Sequence, residues 1–266
     1  MRQTSRFLNN PAAVTALVAR FSKENREAGT SYATVRDYCE SVDLLPEITP
    51  TDGDLKNVQR PWALKAILSR VPPPARLLEI GGGEPIVSGL LAELGYDVTL
   101  VDPYDGFGNG PTDYQRYVEH FPKVKIVREY FRPGMNAFPN KSFDAIFSVS
   151  VLEHIPVESV APCFEAMEEF LRPGGASIHC FDFILQGRGE MDDRPMAETI
   201  LSAQSRLAGA PMPEPFEALL ERLNADVETF YLSPQGHHHW RGGRPYEEFP
   251  FRKVVSIQTI AFLPRS

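Results

Sequence analysis

The chain has 266 residues, 42% of them hydrophobic and 23% charged, so it is long enough to bury the core of one large α/β domain. Its net charge of -8 weighs against binding a phosphate backbone, and its three separated cysteines (Cys39, Cys163 and Cys180) form neither a disulfide framework nor a CxxC metal pair. The polar opening MRQTSRFLNN is unlike a signal peptide, and no run of 18 apolar residues is present, so a cytoplasmic location with no membrane partner is expected.

The first 75 residues read as helical. Asn10 is placed to cap a helix with Pro11 at its first position, and Val14, Leu17, Val18 and Phe21 share one face. Val35, Tyr38, Cys39 and Val42 repeat that spacing. Residues 45–61, rich in Pro, Asp and Thr, read as a loop. Leu64, Ile67, Leu68 and Val71 mark a third helix, which VPPPA at 71–75 ends. From there strands alternate with helices. Residues 75–80, 96–102, 123–127, 142–150 and 176–183 read as strands, with helical spacing at Ile86, Leu90, Leu91 and Leu94 and again at Val160, Phe164, Met167 and Leu171. Such alternation predicts a parallel sheet covered on both faces. Residues 185–224 read as a lid-like insertion with helices near 195–207 and 215–224. A sixth strand is expected at 226–233 and a long final one at 253–263.

The strongest local signal is Glu79-Ile80-Gly81-Gly82-Gly83-Glu84-Pro85, which leaves a buried strand, turns on glycines and opens a helix. Glycines there let a ligand approach the main chain, and the helix start adds exposed N–H groups. Asp102 ends the next strand, 21 residues after Gly81, where a carboxylate accepts hydrogen bonds from ribose hydroxyls. Together they predict an adenosine-containing ligand; a tight turn with no ligand is the competing reading. A nicotinamide dinucleotide fits less well. Its G-x-G-x-x-G fingerprint would place the third glycine at Ile86, and Glu79 suits a ligand bearing positive charge better than a pyrophosphate.

At these residues the sequence resembles motif I of class I S-adenosylmethionine-dependent methyltransferases. VTLVDP resembles their ribose-binding second strand, SFDAIFSVSVLEHIP their fourth-strand motif, and FLRPGGASIH the element before strand five. The resemblance covers residues 75 to 183 and is nearest to enzymes of the small-molecule group. It implies an α/β, Rossmann-like, seven-stranded, mostly parallel sheet with helices on both faces and an antiparallel last strand. Residues 1–74 would form a helical extension and 75–266 the catalytic domain. It further implies that Glu79, Gly81, Gly82 and Gly83 line the methionine part of S-adenosylmethionine, that Asp102 holds the ribose, and that Ser148 and Ser150 lie beside the sulfonium. Where the family often has Gly-Asp after strand three, this chain reads Arg128-Glu129-Tyr130, and Glu129 is the substitute for the adenine contact.

A hydroxyl or amine acceptor also needs a base. His154, after the fourth strand, is one candidate; its alternative role is local hydrogen bonding at a helix start. His238 and His239, in the loop GHHHWRGG expected after the sixth strand, are others, against a solvated polar loop. Asp182 and Asp144 could meet a sugar hydroxyl, and no metal is assigned. The His-, Arg-, Tyr- and Trp-rich stretch after residue 231 favours O-methylation of a sugar, glycan precursor or other hydroxylated metabolite. An N-methyltransferase of small amines and a catalytically silent cofactor-binding sensor or scaffold are the alternatives, and a homodimer is expected as a possibility.

Overall fold

A computed structural model describes residues 11–24, 26–107, 110–187, 193–211 and 214–265. The Asn10 cap lies outside them.

The helices are α1 (Pro11–Phe21), α2 (Val35–Leu44), α3 (Lys56–Arg70), α4 (Ile86–Glu93), α5 (Tyr114–His120), α6 (Val157–Phe170), α7 (Asp193–Ala208), α8 (Phe216–Ala225) and α9 (Pro234–Arg241). The strands are β1 (Gly29–Tyr32), β2 (Arg76–Ile80), β3 (Asp97–Val101), β4 (Lys125–Val127), β5 (Phe143–Val149), β6 (Leu171–Gln186) and β7 (Lys253–Phe262). They form one sheet of seven in the order β1-β7-β6-β5-β2-β3-β4. β2 through β6 pair in parallel, while β7 runs antiparallel to both β6 and β1. The α/β, mostly parallel, doubly covered sheet is therefore as the sequence implies.

Alternation along each strand divides the core. Leu77, Val98, Leu100, Ala145 and Phe147 face the layer of α1, α3 and α4; Leu78, Ile80, Val101 and Ile146 face α6, α7 and α8. β6 opens with a bulge. Leu171 pairs with Phe143 and the ladder resumes at Ala176 opposite Ala145, so residues 172–175 are squeezed out of register.

The far edge departs from expectation. Residues 226–233 form no strand of the sheet; they make only isolated bridges, Thr34 to Thr229 and Tyr231 to Val255. The reason is competition for one edge. β1 already occupies β7 from Ile257 to Ile260, so the 226–233 segment can only wedge past the strand ends, with Phe230 N–H donating to Ala33 O and Leu232 N–H to Val254 O. The seventh strand thus comes from residues 29–32, inside the stretch that reads as helical. Two further elements are corrected. α3 begins at Lys56 rather than near Leu64, because the Asp54 carboxylate accepts the Lys56 N–H at 2.8 Å and starts the helix inside the expected loop. The segment GHHHWR is helix α9, capped by Ser233 Oγ on Gly236 N–H, with Pro234 in its first turn. The helices of the 185–224 insertion do form. However, Ala197, Ile200, Leu201 and Leu207 of α7 are buried against the sheet side of the core, and no described residue of the insertion reaches the cleft described below.

Candidate functional site

The carboxyl ends of β2, β3 and β5 meet where the chain direction of the crossovers reverses, the position at which parallel sheets leave a crevice. A cleft of about 850 Å³ opens there, walled by the turns after those three strands and by the first turns of α3 and α6.

The glycine turn forms its floor. Gly81 and Gly83 have φ of 63° and 45°, a region that penalises any side chain. Cβ atoms here would also strike the cleft's own walls. One on Gly81 would lie 2.5 Å from Val151 Cγ1, one on Gly82 would lie 2.5 Å from Leu100 Cδ1 and 2.7 Å from the Glu79 carboxyl carbon, and one on Gly83 would lie 3.0 Å from Pro111 Cδ. The glycines therefore serve the packing of the floor itself, a role that a ligand-approach argument alone does not foresee.

Two acids flank the turn. Asp102, 9% exposed, accepts the Gly83 N–H on Oδ2 at 3.0 Å and the Tyr104 N–H on Oδ1 at 2.7 Å, and Tyr104 O–H returns a bond to Gly83 O. Burial raises the Asp102 carboxyl, while the two N–H donors act in the opposite direction. Glu79 is buried behind the turn with Ser88 Oγ donating to Oε2, and burial pushes it up to about 7. Tyr104 and Ser150, at the ends of β3 and β5, take φ of 52° and 54°, left-handed conformations that cost a non-glycine residue about 1–3 kcal/mol each. Strain of this kind on either side of one crevice marks it as the place the fold is built to present.

The other expected residues divide sharply. Ser150 and His154 line the cleft. Ser148 does not. It still lies within β5, inside the sheet, where it is fully buried against His179 Nδ1 at 2.8 Å, and burial holds that imidazole neutral, down to about 3. Glu129 is exposed and lies outside the cleft wall, where Tyr130, Phe131 and Arg132 stand instead. The chain turns outward immediately after β4, so the acid that would replace the family's adenine contact faces solvent. His238 and His239 are exposed on α9 and are absent from the cleft wall. In a helix, successive residues diverge, and α9 anchors through the buried His237, stacked on Phe249, and through Trp240 Nε1 donating to Asp54. Asp144 is structural, accepting the Arg76 N–H at 2.6 Å and pairing with Arg172.

Several cleft residues escape sequence reasoning. Lys56 and Arg60 project from the first turns of α3; their i, i+4 spacing is a readable signal, hidden when 45–61 is taken as a loop. Arg60 is held by Glu84 at 3.3 Å. Phe107 and Tyr130, each more than half exposed, stand at the mouth. Cys163 also contributes to the wall, but burial pushes its thiol to about 12, so it is neutral and inert at ordinary pH. Among the described residues no group of three or more His, Cys, Asp or Glu is arranged to hold a metal ion, and no helix is long and apolar enough to cross a membrane.

Comparison with known proteins agrees with this geometry. A family profile described as a methyltransferase domain matches residues 10–181, more than half of the chain. Two uncharacterised proteins of Mycobacterium tuberculosis, from strains CDC 1551 / Oshkosh and ATCC 25618 / H37Rv, are each 34% identical over 123 residues, 45% of this chain. The alignment spans 39% of the length of those relatives. Among solved structures, a putative sarcosine dimethylglycine methyltransferase from Galdieria sulphuraria is 14% identical, with 96% of this chain and 99% of that one covered and a TM-score of 0.49. A 1,6-didemethyltoxoflavin-N1-methyltransferase from Burkholderia thailandensis, with S-adenosylhomocysteine bound, is 15% identical over 95% of this chain and 88% of that one, with a TM-score of 0.44.

Proposed function

The chain belongs to the methyltransferase-domain family; we propose that it is an S-adenosylmethionine-dependent methyltransferase that methylates a small hydroxylated acceptor, a sugar or related metabolite, with His154 as the proton acceptor. The chain's residues fit the cofactor. A turn that tolerates no side chain, a buried carboxylate with two oxygens anchored for further acceptance, and a second buried acid are grouped at one end of a cleft of about 850 Å³. Glu79, Gly81, Gly82 and Gly83 would line the methionine part, with Glu79 toward its cationic end, and Asp102 would hold the ribose. When bound, the cofactor supplies an activated methyl group, so the protein need only position the acceptor and take its proton.

The observation that carries the reading is the position of His154. It is the candidate histidine in the cleft wall, its side chain is 36% exposed, and its Nε2 lies 4.0 Å from Glu153 Oε1. An imidazole partly open to the cleft, next to an acid, suits the removal of a hydroxyl proton. The aromatic mouth of Phe107 and Tyr130 offers faces on which a ring can stack. Incubation with labelled S-adenosylmethionine and a panel of sugar nucleotides, polyphenols and amines tests this. Label on hydroxylated compounds, lost in His154→Ala, is the expected result; label confined to amines rejects O-transfer.

A further inference from the structure

Beneath His154 and Ser150 lies a pair of acids that methyl transfer as described does not use. Glu153 and Asp182 are 4% and 7% exposed, at the ends of β5 and β6. The Asp182 N–H donates to Glu153 Oε1 at 2.9 Å. Asp182 Oδ1 accepts Gln59 Nε2 from α3 at 2.7 Å, and Oδ2 faces Ser150 Oγ at 3.4 Å. Glu153 Oε2, by contrast, is buried with no hydrogen-bond partner.

Two buried carboxylates this close repel strongly, and the imidazole whose Nε2 lies 4.0 Å from Glu153 Oε1 is a counterion only when protonated, so with His154 neutral both acids cannot be charged. The donors decide between them. Asp182 has a side-chain donor at each oxygen, which favours its ionised form, whereas the bare Oε2 of Glu153 is where an anion would be least supported and a proton best tolerated. We propose that Glu153 and Asp182 act as a positioning pair, Glu153 neutral and Asp182 charged, that holds Ser150 and His154 at the cleft floor and stabilises the protonated imidazole. Burial raises both carboxyls, and each would raise the other further if it were charged. The other groups facing the pair are Lys56 and the Ser150 hydroxyl, which favour ionised Glu153, His154, which favours ionised Asp182, and Asp54, which opposes it. Burial also raises the thiol of Cys180, which stays neutral. Neither acid touches the cleft; both act through the residues that do. The proposal rests on His154 being the proton acceptor, but its test needs no methyl acceptor.

The test uses the full chain saturated with S-adenosylhomocysteine. Infrared difference spectra of parent minus Glu153→Gln at pH 7, in which the band of protonated Glu79 cancels, should show a carboxylic-acid C=O band, since that amide replaces a neutral acid. NMR titration of the imidazole, assigned with His154→Gln, should give an unchanged midpoint in Glu153→Gln. In Asp182→Asn, which removes the charge, the midpoint should fall by about one pH unit. A packing role alone would leave the imidazole midpoint in place in both variants. No acid band in the difference spectrum, or a midpoint that moves alike in both variants or in neither, overturns the assignment. If Asp182→Asn does not fold, the band and the unmoved midpoint of Glu153→Gln decide alone. Failure here with methyl transfer intact would sink the pair and leave the enzyme reading standing.

Discussion

The two ends of the sheet are built by different logic. At the β2–β3 end, neighbours in space are neighbours in sequence. A turn of three glycines and one aspartate at the tip of the next strand make one end of the cleft from about 30 consecutive residues. At the β7–β1 end, the partners come from opposite parts of the chain, with Gly29 opposite Ile260 and Tyr32 opposite Ile257. The first end carries strained backbone and buried acids; the second carries a ladder of mixed polar and apolar pairs, with Ser31 Oγ donating to Gln258 Oε1 at 3.1 Å and Tyr32 O–H to Asp226 at 2.9 Å. Chemistry is concentrated where the chain is local, and closure is left to residues far apart.

The comparison breaks most readily at Gly81. Gly81→Ala forces a side chain into a left-handed site and against Val151, and should cost about 3 kcal/mol of stability together with most of the affinity for S-adenosylhomocysteine. Adding Val151→Ala should recover the steric part and leave roughly 1 kcal/mol of backbone strain, read by denaturant titration. Next, Asp102→Ala leaves the Gly83 and Tyr104 N–H groups without their acceptor and should weaken S-adenosylhomocysteine about 100-fold by calorimetry, a loss of two charge-assisted hydrogen bonds.

Glu79 makes a pH prediction. Its folded value, about 7, lies above its ordinary 4.5, so the folded state keeps the proton longer than the unfolded chain does. Stability present at the acid side is therefore lost as pH rises from about 4.5 through 7. Urea midpoints measured across that window should fall less steeply in Glu79→Gln than in the parent; equal slopes would show that the group is not buried as described. At the opposite edge, Tyr32→Phe should cost about 1 kcal/mol and leave cofactor affinity unchanged, which sharpens the division between closure and chemistry. The smallest effects belong to His238→Ala and His239→Ala, within about 0.5 kcal/mol and without change in affinity, because both side chains are exposed outside the cleft.

Legibility in the sequence follows the same division. Glu79, the three glycines and Asp102 are readable because the strand, turn and helix that join them are contiguous, so spacing carries geometry. Ser148 and Ser150 are one strand period apart and would share a face in a continuing strand. β5 ends at Val149, and the left-handed turn at Ser150 that carries it to the cleft is a tertiary fact. β1 is four residues long, too short for its alternation to stand out from a helical neighbourhood, and it is stabilised by a distant partner, with Gly29 opposite Ile260 and Tyr32 opposite Ile257. Residues 226–233 have the composition of a strand but lose the edge to β1. The histidine run attracts attention as a loop, yet Ser233 and Pro234 cap it into a helix, whose geometry points His238 and His239 outward.

The position of β7 has a consequence for the order of assembly. It enters between β6 and β1, antiparallel to both, and it follows the other six strands in chain order. Until it emerges from the ribosome, β6 has an unpaired edge of apolar residues such as Ile178, Phe181 and Phe183, and β1 has no sheet to join. The nascent chain therefore carries a finished crevice next to an open seam, and that seam, more than the crevice, is its aggregation hazard while β7 is awaited.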